Sequence, residues 1–404
     1  MNADNSAGEH FWAGRNINGY YAYHLFVNFA FWMPVYALFF LDRGLGYGAI
    51  LFLYAINTGI QTALELPSGM LADRWGRKPV LMLGACLQAV AFALIAFGGN
   101  SAVYIIAMAM HGAALAAVSG CDAAFIYDSL TAAGREREFR KIEGRAYMYN
   151  LVGWGTGGLL GGLLAAKSLT LPFTLSVLTS LLAFLVMATC IEPPRVKRPI
   201  PASVFIKDAL KNIRSNRPIG SIVVFASLMY GLLLVAHKFS QPYMLRADVD
   251  LKLFGVVYFI WLMAAAVSSN YSERIEKRLG FKAYFFILPL LVGGVLIYQG
   301  LFQNMWGIGL VVLQQFVWGS LRPEMNQIIN REAASAWRAT LLSCVGFGSS
   351  VVYILTAAVL GPVADALDFP TAMFWLGIIT LAVGWFAAAW FIRSSRASVA
   401  APCN

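Results

Sequence analysis

Twelve apolar stretches, each close to twenty residues long, follow one another along this chain, and most of the charges fall in the gaps between them. A helix that crosses a bilayer needs roughly 20 apolar residues. The stretches lie near 19–41, 47–68, 79–98, 102–126, 146–167, 171–191, 218–240, 253–272, 283–302, 305–328, 338–361 and 371–392. Breaks such as "FGGNS", "IEPPR", "QPYMLRADVD" and "LDFP" carry the Gly, Pro and Asn that punctuate helices. Only 12% of the 404 residues are charged, against about 25% in soluble domains. So few charges leave too little polar cover for a water-soluble surface. The expected fold is therefore an all-α, multi-pass membrane protein. Residues 1–18, with Asp4, Glu9, His10 and Arg15, read as a polar tail and lack the apolar core of a signal peptide. The five Cys are scattered without metal-ligand spacing, which argues against a disulfide framework or a zinc site.

Lys and Arg in short loops set orientation. With the N-terminus inside, 25 of them fall in inner segments and 5 in outer loops. Both termini are then cytoplasmic, and the net charge of +10 orients helices in a lipid bilayer, with no nucleic acid as partner. The longest inner loop, 193–217, falls near the middle of the chain. Within it Ile206, Leu210 and Ile213 alternate with Lys207, Lys211 and Arg214 at helical spacing, the pattern of a helix lying on a membrane surface. The expected domains are a six-helix bundle over 1–192, a basic linker over 193–217, and a second six-helix bundle over 218–404. "DRWGRK" after the second stretch is echoed by "EKRLGFK" after the eighth, and Gly76 aligns with Gly280 at an offset of 204. Two parallel six-span halves of this kind are a transporter architecture, with substrate held near the midplane.

"GMLADRWGRK" resembles the signature between spans 2 and 3 of the major facilitator superfamily, G-x-L-x-D-R-x-G-R-K. Gly69, Leu71, Asp73, Arg74, Gly76, Arg77 and Lys78 all match. The resemblance implies twelve transmembrane helices in two pseudo-symmetric bundles. It also implies an inner latch: Gly69 would let span 2 approach span 11 closely. Asp73 would face the start of span 11 near Trp337 to Thr340, and Arg77 would tie Asp73 to Asp128. A second signature, from the drug/proton antiporter branch, is matched in spacing by Gly144, Gly153, Gly157, Gly161 and Gly162, with Gly158 where a proline is expected. It implies proton-coupled export. The same glycines at spacing four also serve close helix packing in any membrane protein. A third signature, in span 4, has an Arg three residues before Gln-Gly; here Met108 and His111 take those two positions ahead of Gly112.

A charge deep in a bilayer is costly, so each one present invites a role. Asp122, Glu65 and Glu324 are the candidates for proton coupling, since low dielectric favours the neutral acid that a proton carrier must form. For Glu65, Arg322 and Glu324 the competing expectation is inner-gate salt bridging or snorkelling to the interface. Candidate substrate contacts are His24, Asn28 and Tyr36 in span 1, Asn57 and Gln61 in span 2, Asn150 and Trp154 in span 5, Tyr230 in span 7, Trp261 in span 8, and Gln314, Gln315 and Trp318 in span 10. Aromatic walls with a few polar groups suit amphipathic ligands.

The expectation is a secondary transporter working by alternating access, a proton-coupled exporter of amphipathic or toxic compounds. The alternative is a symporter or uniporter importing a polar nutrient or metabolite. A receptor built on a transporter would carry a large extra domain, which this sequence lacks. No nucleophile–base set, metal motif or phosphate-cradling loop appears, so neither an enzyme nor a cofactor is expected. The partners are a small-molecule substrate and protons, with the chain acting as a monomer in a bacterial cytoplasmic membrane.

Overall fold

A computed structural model describes residues 3–194, 216–332 and 338–399, with side chains over 13–194, 216–331 and 340–395. The expected surface helix at 206–214 and the latch partner Trp337 lie outside these residues. Every long element is an α-helix: α1 Ala3–Val27, α2 Tyr36–Asp42, α3 Tyr47–Trp75, α4 Arg77–Phe97, α5 Ser101–Val118, α6 Cys121–Ala132, α7 Phe139–Ala165, α8 Leu171–Thr189, α9 Arg217–Arg246, α10 Phe254–Leu279, α11 Phe281–Leu301, α12 Met305–Glu332, α13 Arg338–Ala366 and α14 Phe369–Val399. Nine helical segments among the described residues are long and apolar enough to cross a membrane, with α5 and α6 taken together as one. The remaining expected spans are the broken α1–α2 pair, the glycine-rich α7 and the polar α12.

Several expectations about the helices need correction. The first stretch, read as one span over 19–41, is broken: α1 ends at Val27, and residues 28–32 are non-helical before a single 3₁₀ turn at Met33–Val35. The supposed polar tail is itself helical from Ala3. The fourth stretch is also broken, because Gly120 takes φ +73° between α5 and α6. A left-handed φ costs glycine little and stops the helix there. Several helices also run past their apolar windows. α7 starts at Phe139, not near 146, which brings Glu143 inside the helix.

The internal repeat is visible in the backbone. Gly76 and Gly280 both adopt positive φ, +117° and +79°, and each starts a 21-residue helix, α4 and α11. Those two helices begin 204 residues apart, the offset read from the sequence.

The chain forms two compact units. The first comprises Met1–Phe39, Ile56–Pro199 and Leu251–Val256; the second comprises Phe40–Ala55, Ile200–Asp250 and Val257–Asn404. In the first, Tyr20, Tyr23, Leu81, Phe125, Ile126, Leu130, Ile142 and Met187 form a buried cluster joining α1, α4, α6, α7 and α8. Lipid tails are as apolar as these side chains, so close packing, aided by small residues, holds such helices together. α7 shows this most directly. A Cβ at Gly153 would lie 2.8 Å from the Leu25 carbonyl, one at Gly157 would lie 2.6 Å from Ala30 N, and one at Gly161 would strike the Phe31 carbonyl. The glycine row is therefore seated against the unwound stretch of span 1. Gly162 abuts Gly255 in the same way, whereas Gly144 and Gly158 have open space where a Cβ would stand.

Candidate functional site

The polar interior of the first unit centres on His24. Trp154 Nε1 donates to Asn28 Oδ1 (3.0 Å). Asn28 Nδ2 donates to the His24 carbonyl (2.9 Å) and to Asn150 Oδ1 (2.6 Å). Asn150 Oδ1 also lies 2.9 Å from His24 Nδ1. An indole only donates and a backbone carbonyl only accepts, so the Asn28 amide has one allowed orientation. Asn150 must then present its oxygen, and His24 Nδ1 carries the hydrogen. That leaves Nε2 as the nitrogen that gains or loses a proton. It has no hydrogen-bond partner and stands 3.7 Å from Asp122 Oδ2.

Asp122 is the second residue of α6, where unpaired helix N–H groups favour an anion; its Oδ1 accepts from Ala123 N at 2.7 Å. His24 is almost fully buried and Asp122 partly so. Tyr20 packs edge-on against the imidazole at 4.3 Å and donates to Glu143 Oε2 at 2.8 Å. The pair can hold one proton between them, as acid plus neutral imidazole or as carboxylate plus imidazolium. His24, Asn28, Asn150 and Trp154, read from the sequence as substrate contacts, thus join Asp122 in a single network.

The other candidates in this unit separate into two groups. Asn57 Nδ2 donates to the Met108 carbonyl (3.3 Å) and to His111 Nδ1 (3.0 Å), while Tyr36 reaches Met108 Sδ at 3.7 Å. Trp32 and Phe92 pack around that imidazole. Gly112 lies against the Asn57 and Gln61 backbone. Glu65 is exposed and its Oε1 accepts from Ser119 Oγ at 3.4 Å, beside the break between α5 and α6.

At the end of α3, Arg77 sits between two acids, 2.8 Å from Asp73 and 3.5 Å from Asp128. Asp73 and Arg74 are exposed. Gly69 has open space among the described residues where a Cβ would stand. Gly76 lies against Glu192, a residue the sequence reading passed over as part of a helix break. The Glu192 carboxylate accepts from Arg77 N and Lys78 N (2.7 and 2.8 Å), capping α4. Lys78 Nζ in return donates to the Ala188 and Cys190 carbonyls, both at 2.8 Å, capping α8.

In the second unit, Gln315 Nε2 donates to His237 Nε2 at 2.8 Å. Trp318 packs between that imidazole and Tyr230, with ring separations of 5.0 and 5.3 Å. Trp261 is buried against Tyr258, which accepts from Gln241 Nε2 at 3.0 Å. The Lys238 ammonium lies 3.3 Å from the ring centre of Tyr54. Gln314 is buried, with its Nε2 unbonded. Glu324 is buried as well, where snorkelling had been one expectation.

Comparison with known proteins agrees with this architecture. Residues 21–355 match the model of the Major Facilitator Superfamily. The chain is 21% identical over 357 residues to the uncharacterized MFS-type transporter YxaM of Bacillus subtilis (strain 168), covering 84% of this chain and 86% of that one. It is 25% identical over 339 residues to the class E tetracycline resistance protein of Escherichia coli, covering 79% and 77%. Among solved structures, the nucleoside transporter NupG superposes with a TM-score of 0.77 at 15% identity, over 94% of this chain and 99% of that one. A bacterial homologue of the lysosomal transporter Spinster gives 0.70 at 14% identity, over 96% and 97%. With its all-helical architecture, its signature turn and a family match across most of its length, the chain belongs to the Major Facilitator Superfamily and is a multi-pass membrane transporter of small molecules.

Proposed function

We propose that this transporter is a proton-coupled exporter of amphipathic or toxic small molecules, working by alternating access in a bacterial cytoplasmic membrane. The observation that carries the reading is the His24–Asp122 pair: a base and an acid 3.7 Å apart at membrane depth, with the base held in one tautomer. Buried ionisable pairs of this kind are what proton relays use. Proton binding neutralises the carboxylate or charges the imidazole. The resulting change of local charge favours one access state over another. Similarity to tetracycline resistance proteins favours export. On this reading the six-span bundles 1–192 and 218–404 are the moving halves, both termini face the cytoplasm, and a monomer suffices.

The test uses inside-out vesicles with an acid interior and tetracycline and ethidium as probes. Uptake that depends on the gradient, with release of protons from the interior, is expected. Asp122→Asn should abolish the gradient-driven component. Accumulation driven only by the opposite gradient, with protons entering alongside the probe, would assign symport and so import instead, and undiminished uptake by Asp122→Asn would remove the proton role of the pair.

A further inference from the structure

α1 and α7 meet along a polar ladder of direct contacts. Tyr20 and His24 stand one turn apart on α1, Asn28 follows just past its end, and Glu143, Asn150 and Trp154 face them from α7. Asn28 bonds to Asn150 (2.6 Å) and to Trp154 (3.0 Å), and His24 bonds to Asn150 (2.9 Å). The last rung is Tyr20 Oη donating to Glu143 Oε2 at 2.8 Å. It is the rung nearest the N-terminal ends of both helices, about 6 Å from His24 by four residues of helical rise. One tyrosine therefore touches both groups. Its hydroxyl holds the Glu143 carboxylate, and its ring packs edge-on against the His24 imidazole, 4.3 Å between centres.

Glu143 is flanked on its own helix by Arg140, Lys141 and Arg145, all exposed. A basic residue three positions away, as Arg140 is, ordinarily pairs with an acid on the helix surface. Among the described residues Glu143 makes no ion pair and is turned to Tyr20 instead. It is half-buried, so it reaches both the seam between the helices and the surface. The titratable groups that face it are Tyr20 and His24 on α1, with Asp122 on α6 acting on the same tyrosine. α8 brings no ionisable side chain between Leu171 and Thr189. Glu138, at the foot of α7, is engaged with Arg135 at 2.7 Å. A bond that only fastened α1 to α7 would need no acid here, since a glutamine oxygen accepts the same O–H. What a carboxylate adds is a place for a proton.

We propose that Glu143 is the carboxylate through which the proton of the His24–Asp122 pair leaves for the cytoplasm, with Tyr20 as the positioning residue between them. This rests on the proton-coupled reading of that pair, in which α1 and α7 both begin at the cytoplasmic face. The proton leaves His24 Nε2 or Asp122 Oδ2 and crosses intervening water to the Glu143 carboxylate. It passes from there to cytoplasmic water, and the carboxylate is restored.

The experiment uses the full-length protein in inside-out vesicles and compares two modes of tetracycline movement. Uptake driven by an acid interior requires proton release on the cytoplasmic face, which meets the bath. Exchange of labelled for unlabelled tetracycline without a gradient does not. Glu143→Gln keeps an acceptor for Tyr20 and should lower gradient-driven uptake about tenfold or more, as loss of a positioned proton acceptor does, with exchange near the wild-type rate. Glu143→Asp keeps the acid and should recover most of that loss. Tyr20→Phe should slow gradient-driven uptake with exchange intact, and it decides the matter if Glu143→Gln fails to fold. Wild-type uptake by Glu143→Gln, or equal loss of uptake and exchange in every variant, overturns the exit and leaves a helix fastening. Asp122→Asn in the same assay keeps the two readings apart. An impaired Asp122→Asn beside an unimpaired Glu143→Gln removes the exit alone. An unimpaired Asp122→Asn, or a wild type without gradient-driven uptake, removes the proton reading of the pair and the exit with it.

Discussion

His24 Nε2 stands 3.7 Å from Asp122 Oδ2, and each residue belongs to a span that is broken close by. If one proton serves both groups, removing either should do nearly all the damage. His24→Gln and Asp122→Asn should each lower gradient-driven transport strongly, and the double variant should be no worse than the poorer single one. Residues that act as a unit are non-additive in this way. Rates for the four proteins in the same vesicle assay give the answer. Effects that multiply would mean that the two groups work independently.

The glycine row in α7 predicts a graded response within one motif. Gly157→Ala places a methyl 2.6 Å from Ala30 N, and Gly161→Ala drives one into the Phe31 carbonyl. Overpacking against backbone costs typically 1–3 kcal/mol, so both should lower the thermal midpoint and the yield of folded protein. Gly144→Ala and Gly158→Ala have open space and should be neutral or mildly stabilising. Equal losses at all four positions would mean that the motif acts through something other than packing on span 1.

How far the sequence could be read follows from where its signals are local. Spacing of apolar residues marks spans, and a Gly with its own backbone requirement, such as Gly76, marks a turn. The break after Val27 is different. "NFAFWM" stays apolar through the unwound stretch, so hydropathy sees one span. The α7 glycine row lies against this stretch, a contact across more than a hundred residues that no local pattern announces. Asp122 could be chosen from the sequence because an acid inside an apolar run is conspicuous. Its pairing with His24 could not, since pairing depends on how α1 meets α6. Glu143 and Glu192 were overlooked for a related reason: both lay outside the expected spans, yet the helices bring each against a partner.

The signature turn should separate stability from transport. Glu192 and Lys78 cap each other's helices through four hydrogen bonds to backbone. Losing a helix cap costs typically ~1 kcal/mol, so Glu192→Ala should lower the thermal midpoint by a few degrees, and Lys78→Met should do likewise. Asp73 is 69% exposed and meets Arg77 at 2.8 Å on its own surface. Asp73→Asn should leave the midpoint nearly unchanged and slow transport, if the inner latch operates. Melting curves beside initial transport rates for the three variants distinguish the roles. An Asp73→Asn protein that melts early but transports normally would reverse the assignment.

Lys238 and Tyr54 offer a test of how the second unit accommodates a cation at membrane depth. The ammonium sits 3.3 Å from the ring centre of Tyr54 and is also hydrogen-bonded to that side chain. A desolvated cation–π contact is worth about 2 kcal/mol. Tyr54→Phe keeps the ring and gives up the hydroxyl, so it should cost less than Tyr54→Leu, which removes both. The loss in Tyr54→Leu arises from a buried charge stripped of its companion, and such a loss is relieved by removing the charge. Lys238→Met should therefore be milder in the Tyr54→Leu background than in the wild type, and the double variant should melt above Tyr54→Leu alone. Thermal midpoints of the four proteins at one pH measure this coupling directly. Simple addition of the two single effects would show that Tyr54 supports the helix packing and leaves the ammonium to other groups.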